Sequence, residues 1–242
     1  MKTKHFAKTR VSGPIILASM LALGSSAHAA LVDVQFLGNN NDFIGTPYTG
    51  PAVTGTTGDY WNATSADSAS MALNGVDNAA SGISLTFTSY HQWGNIDSGF
   101  AAGSYANLMA GYLCAVEPTT YHIAFSGLAP SASYNLYIYT QGDGGGDGRE
   151  LDVSVNGAAD VITSPGNALL GTFVEGTNYL HLTGTADPSG VVDIAYSSVL
   201  TINGGTGEAD INGVQLVTVP EPSSLALFGV GALACMRRSR RR

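Results

Sequence analysis

A chain of 242 residues with 44% hydrophobic, 12% charged and 31 glycine residues can bury a core on a turn-rich backbone, with about half the charge of an average soluble protein. Between Leu31 and Val219 a single cation, Arg149, stands against 17 acids, a formal charge of −16. Clustered Lys and Arg displace counterions from a phosphate backbone, so nucleic acid is excluded as a partner, and the body offers no basic patch to anionic lipid heads.

Residues 1–29 read as a secretory signal peptide. Lys2, Lys4, Lys8 and Arg10 form a charged lead, Ile15 to Leu23 an apolar run too short to span a bilayer, and Ala27-His28-Ala29 a small-x-small cleavage site. The secretion machinery is thus an expected partner, and the mature chain is expected to start at Ala30.

Residues 30–219 read as one all-β domain, an antiparallel β-sandwich of jelly-roll type. Apolar alternation and β-branched runs predict strands at Val32–Leu37, Ile83–Thr88, Tyr121–Ser126, Tyr134–Thr140, Leu151–Val155, Leu169–Val174, Tyr179–Thr183, Val191–Tyr196 and Val214–Thr218. Asn-Gly pairs at Asn74-Gly75, Asn156-Gly157, Asn203-Gly204 and Asn212-Gly213 are hairpin cues. A short helix is expected within Tyr105–Cys114, from Leu108, Met109 and Leu113. In Gly127-Leu128-Ala129-Pro130-Ser131-Ala132-Ser133-Tyr134, the tyrosine opening a strand is placed to bond back over the preceding turn.

Candidate chemistry is sparse. Trp61, in Tyr60-Trp61-Asn62, and Trp93, in His91-Gln92-Trp93-Gly94-Asn95, are the candidate glycan-binding residues, because an indole offers an apolar face and a polar tip. In the Gly-rich stretch Gln141 to Asp152, the carboxylates Asp143, Asp147, Glu150 and Asp152 supply the oxygens that Ca²⁺ takes. No EF-hand or nonapeptide pattern is completed there, and the competing reading is a flexible hairpin in which Arg149 pairs with a neighbouring acid. Beyond calcium, no cofactor is called for. Cys114 stands alone once Cys235 leaves with the tail, which predicts a buried, inert thiol. His91, His122 and His181 lack zinc-ligand spacing. No lysine follows Lys8, and neither Gly-x-Ser-x-Gly nor His-Glu-x-x-His occurs. No catalytic residues are assigned, and the chain is read as non-enzymatic.

After Val219 come Pro220-Glu221-Pro222-Ser223-Ser224, an apolar run from Leu225 to Met236, and the cluster Arg237, Arg238, Arg240, Arg241 and Arg242. A helix of that run is about 18 Å long against a hydrocarbon core of about 30 Å, enough to stop in a membrane against cytoplasmic arginines but poor as a permanent anchor. Residues 220–242 in this order resemble the PEP-CTERM sorting signal of bacterial proteins. The resemblance implies recognition at Pro220, Glu221 and Pro222 by an exosortase-type membrane protease, transient insertion through the hydrophobic helix, and a topological stop at the arginines.

The body carries a second resemblance. Val32-Asp33-Val34-Gln35-Phe36, Trp61-Asn62, the corner from Gly127 to Leu136, Val153 to Gly157 and Ile211 to Val217 are similar to galactose-binding-like jelly-roll modules, which implies the fold and not a sugar. The expectation is an exported, non-catalytic protein of the cell surface or extracellular matrix that binds glycan, with exopolysaccharide as its partner. The alternatives are a secreted glycan-degrading enzyme and a Ca²⁺-dependent adhesin.

Overall fold

The computed structural model describes residues 31–39, 44–94, 99–102, 104–116, 118–142, 149–163, 170–199 and 207–219. The expected signal peptide, the whole tail from Pro220 with its arginines, Asp143, Asp147 and the Asn203-Gly204 pair lie outside these residues.

The described elements run β1 (Leu31–Phe36), β2 (Trp61–Thr64), β3 (Ala69–Asn74), β4 (Ala80–Phe87), β5 (His91–Gly94), α1 (Ala106–Ala110), β6 (Gly111–Val116), β7 (Tyr121–Ser126), β8 (Ser133–Tyr139), β9 (Leu151–Val155), β10 (Val161–Ile162), β11 (Tyr179–Thr185), β12 (Val192–Ser198), β13 (Glu208–Ile211) and β14 (Gly213–Thr218). They form a β-sandwich. One sheet has the order β11-β8-β14-β1-β2, the second β10-β9-β12-β7-β4-β3, and a third, smaller sheet β13-β6-β5. All pairings are antiparallel except β1 with β2, which is parallel.

Strand period decides the core. Along β8, Tyr134, Leu136 and Ile138 point inward, and along β12 Val192, Ile194 and Tyr196 do the same, because successive side chains alternate faces. With Val32, Val34, Phe36, Val214 and Leu216 from one sheet and Leu85, Phe87, Ile123, Phe125 and Val153 from the other, they make one continuous buried cluster. Each such side chain contributes about 1.5–3 kcal/mol when withdrawn from water. Leu113, Ala115, Ala209 and Ile211 of the third sheet join the same cluster. The Tyr134 corner forms as the sequence predicts: the Ala129 amide donates to the Tyr134 hydroxyl at 3.0 Å.

Three expectations are corrected. Residues 170–174 are not strand; Phe173 instead packs its ring on Tyr139 and Tyr105. The helix stops at Ala110, and Gly111 turns the chain into β6. A Cβ on Gly111 would sit 2.2 Å from the Leu37 backbone, so that crossing needs glycine. Asn212-Gly213 is no hairpin, since β13 and β14 belong to different sheets. The Asn212 side chain is buried and serves as a corner post, donating to the Met109 and Gly111 carbonyls at 3.1 and 3.0 Å and accepting from the Gln141 amide at 2.6 Å. Asn156-Gly157 does behave as a turn, with both residues at positive φ (50° and 70°) between β9 and β10.

The back of the five-stranded sheet carries a second core. Trp61, Tyr139, Phe100, Leu108, Met109 and Ala52 are buried there, with Tyr48, Tyr105, Phe173 and Tyr179 packed around them.

Candidate functional site

Trp93 lies on β5, the edge strand of the third sheet, where it pairs with Tyr112. Period-2 alternation turns Gln92 and Gly94 inward and leaves His91 and Trp93 outward. Gln92 fixes this register from below: its side-chain oxygen accepts from the Gly38 amide at 2.9 Å, its amide donates to the Ala66 carbonyl at 2.5 Å, and its backbone N–H donates to Asp67 at 2.7 Å. Gly38 is at φ +81°, and a Cβ there would fall 2.7 Å from the Trp93 carbonyl. On this braced strand Trp93 is 41% exposed, and Tyr90, in the bend just before it, is 59% exposed. His91 lies between them, its ring 4.6 Å from Tyr90 and 5.5 Å from Trp93. The result is an open ladder of three amphipathic rings.

Trp61 is the opposite case. It is 1% exposed, stacks edge-on with Tyr48 at 5.6 Å, and donates its indole N–H to the Gly50 carbonyl at 2.9 Å. Both ring faces are used inside the protein, so Trp61 offers no surface to a glycan.

Of the four carboxylates expected to gather around calcium, Glu150 and Asp152 are described. Each is half-buried and holds one buried oxygen, Glu150 Oε2 and Asp152 Oδ1, without a partner among the described residues. Burial raises the Asp152 carboxyl, and the charge of Asp160 adds to it.

The structure assembles a cluster that the sequence did not nominate. Cys114 on β6 and Glu208 and Asp210 on β13 bring their ligand-capable atoms within 4.8 Å of one another. This donor set does not suit a metal, because Arg149 already supplies the cation: its guanidinium meets Glu208 at 3.0 Å and Asp210 at 3.1 Å. Burial, with the charge of Asp210 behind it, holds the Cys114 thiol far above its usual range, so it stays protonated and donates to Glu208 at 2.9 Å. Gly142 makes this pairing possible. A Cβ there would lie 2.1 Å from Asp210 and 2.7 Å from Arg149, so the glycine makes room for the pair.

A buried polar row crosses the second core. Asp33 is fully buried; its Oδ1 accepts from Gln215 at 3.0 Å and its Oδ2 has no partner among the described residues. Gln215 accepts in turn from the Tyr139 hydroxyl, which accepts from the Val53 amide at 3.1 Å. Burial pushes the Asp33 carboxyl up to about 8, against the hydrogen bond from Gln215 and helped by the charge of Asp59. A raised carboxyl in a cleft is a common sign of a catalytic acid, but Asp33 is sealed. The groove nearby, about 1010 Å³, is lined by Thr54, Thr56, Asp59, Asp77, Ser81 and Val217 and not by Asp33. Among the described residues, no helix is long and apolar enough to cross a membrane.

Comparison with solved structures finds low-identity likenesses. The ANXUR2 extracellular domain from Arabidopsis thaliana is 9% identical with a TM-score of 0.39, over 53% of this chain and 37% of that one. An exo-beta-1,3-galactanase from Phanerochaete chrysosporium with galactose is 20% identical with a TM-score of 0.29, over 62% and 29%. A family 35 carbohydrate binding module from Clostridium thermocellum is 16% identical with a TM-score of 0.33, over 55% and 90%. The chain spans only about a third of the length of those plant and fungal chains. No curated protein matches it. Residues 218–242 match the PEP-CTERM protein-sorting motif, which is the recognition signal of exosortase, so this chain carries a signal for export to the cell surface or extracellular space.

Proposed function

We propose that this is a non-catalytic surface or extracellular-matrix protein that binds neutral glycan through the Tyr90, His91 and Trp93 ladder. Residues 1–29 direct secretion, residues 30–219 form the binding domain, and an exosortase-type protease removes the segment from Pro220 after its transient stay in the membrane. The observation that carries the glycan reading is the exposure of Trp93 on a strand held rigid by Gln92. A ring fixed in advance loses little freedom when a sugar stacks on it.

Charge selects the class of glycan. Arg149 is the lone cation of the body and is committed to Glu208 and Asp210. A uronate or sulfate chain would meet 17 acids with no free cation to neutralise it. The same commitment removes the side chain that a depolymerase acting on acidic polysaccharide would need.

Affinity electrophoresis of the exported protein through gels containing neutral polysaccharide tests this reading. Retardation is expected for the native protein and lost in Trp93→Ala, and it is expected to be unchanged by a calcium chelator. Retardation that survives Trp93→Ala defeats the proposal, and loss on chelation would transfer it to the calcium-dependent adhesin. Release of reducing ends from the polysaccharide would transfer it to an enzyme.

A further inference from the structure

We infer that the first residues of the sorting motif are held in the folded sheet and that the processing enzyme must first open the end of that sheet. The matched motif begins at residue 218, whereas β14 runs through Thr218, so motif and strand overlap. β14 is not an edge strand; it lies between β8 and β1. Val217 is register partner to both Asn135 on β8 and Leu31 on β1, and Thr218 is partner to Tyr134. The Val219 amide still donates to the Ser133 carbonyl at 3.1 Å. Sheet pairing therefore continues to the residue immediately before Pro220.

This matters because extended peptides are commonly recognised through their main-chain hydrogen bonds. The backbone just upstream of Pro220 is already engaged in the sheet. Val217 and Thr218 also lie beside Leu216, whose side chain is fixed in the core, so the segment cannot swing out as a unit. What the enzyme requires is a local opening of residues 217–219. Such openings at strand ends lie far below global unfolding in free energy, yet limit the population available at any moment. The folded body thus sets the pace of its own release, and the sheet end formed by Ser133, Tyr134 and Val219 becomes part of the surface that the membrane-bound enzyme meets. The inference rests on the sorting motif and is independent of any glycan.

The test uses the full-length chain in detergent, mixed with membranes that contain an exosortase-type enzyme, with loss of the tail followed by intact mass. Three altered chains accompany the native one. The first carries six Gly/Ser residues between Val219 and Pro220, and the second the same insertion within the Asn156-Gly157 turn. The third is Leu216→Asp, which places a charge in the core and unfolds the body while leaving the motif intact, as loss of the cooperative melt would verify. The spacer chain is expected to be cut several-fold faster than the native chain, the turn insertion at the native rate, and Leu216→Asp as fast as the spacer chain. Equal rates for native and spacer chains, a slower spacer chain, or a native-like rate for Leu216→Asp would each overturn the inference. Failure to cut any chain would overturn it together with its assignment to exosortase, and the glycan test above would be unaffected.

Discussion

The back of the five-stranded sheet and the edge strand β5 each present a tryptophan, and the two differ in everything that follows. Trp61 sits where residues 44–60 and α1 lie over the sheet, so its ring joins Tyr48, Tyr139, Leu108 and Met109 in a second core. Trp93 sits on a strand whose outward face nothing covers among the described residues. The same side chain is a packing element in one place and a contact surface in the other. Local sequence does not separate them: Trp61 stands between Tyr60 and Asn62, and Trp93 follows His91 and Gln92, so each has a ring and an amide within two positions. The distinction comes from the chain laid over the sheet.

Removing Arg149 should have the largest effect, because it is the counter-ion of a packed, half-enclosed cluster. Arg149→Ala strands Glu208 and Asp210 beside one another, and leaving buried charge uncompensated costs about 3–5 kcal/mol; a urea titration measures it. Arg149→Ala with Glu208→Gln and Asp210→Asn should recover much of that loss. Trp61→Ala follows, at about 3–5 kcal/mol from lost burial and the cavity left behind, read as a fall in Tm. Trp93→Ala, by contrast, should stay within about 0.5 kcal/mol of the native protein, as exposed substitutions do. A Trp93→Ala loss comparable to that of Trp61→Ala would erase the contrast between the two regions.

Asp33 sharpens it through pH. Its folded carboxyl titrates near 8 and its unfolded value lies near 3.8, so between those values the native state holds a proton that the unfolded state has released. Stability is therefore complete below about pH 4, declines as pH rises through that window, and levels off above about pH 8. The drop between pH 5 and pH 8 is roughly 4 kcal/mol, three pH units at about 1.4 kcal/mol each. Asp33→Asn keeps an acceptor for Gln215 without the charge and should flatten the profile, as denaturant melts at the two pH values would show. A native profile that rises over this range would contradict the burial argument. A modest effect belongs to the corner: Tyr134→Phe removes the acceptor for the Ala129 amide and should cost about 1 kcal/mol, read as a small fall in Tm.

Much of the sandwich was legible in the residues themselves. β7 and β9 occupy Tyr121–Ser126 and Leu151–Val155, as alternation predicts, because period-2 patterning is written in consecutive side chains. β2, β3, β5, β6, β10 and β13 escaped. Ala69–Asn74 is rich in Ala, Ser and Met, whose strand preference is weak, and Gly111–Val116 follows directly on α1 with no turn residue between but Gly111 itself; both become strands because β4, β5 and β13 offer register partners. The candidate site divided in the same way. Trp93 was named from its residue type, whereas its companions Tyr90 and His91, the brace from Gln92 and the burial of Trp61 needed the fold. Arg149 was expected to pair with an acid of its own loop, and the partners described for it, Glu208 and Asp210, lie 59 and 61 positions away.

By itself the sequence determined what is local or compositional: the cation-poor body, the alternating strands, the Tyr134 corner and the export motif at 218–242. These are read from residue order over a few positions. Tertiary structure alone decided which tryptophan is exposed, that Arg149 meets the acids of β13, that Asp33 is sealed, and that β14 is held from both sides up to the sorting motif. Each of those depends on segments far apart in the chain excluding the same water, and no window of sequence contains both partners.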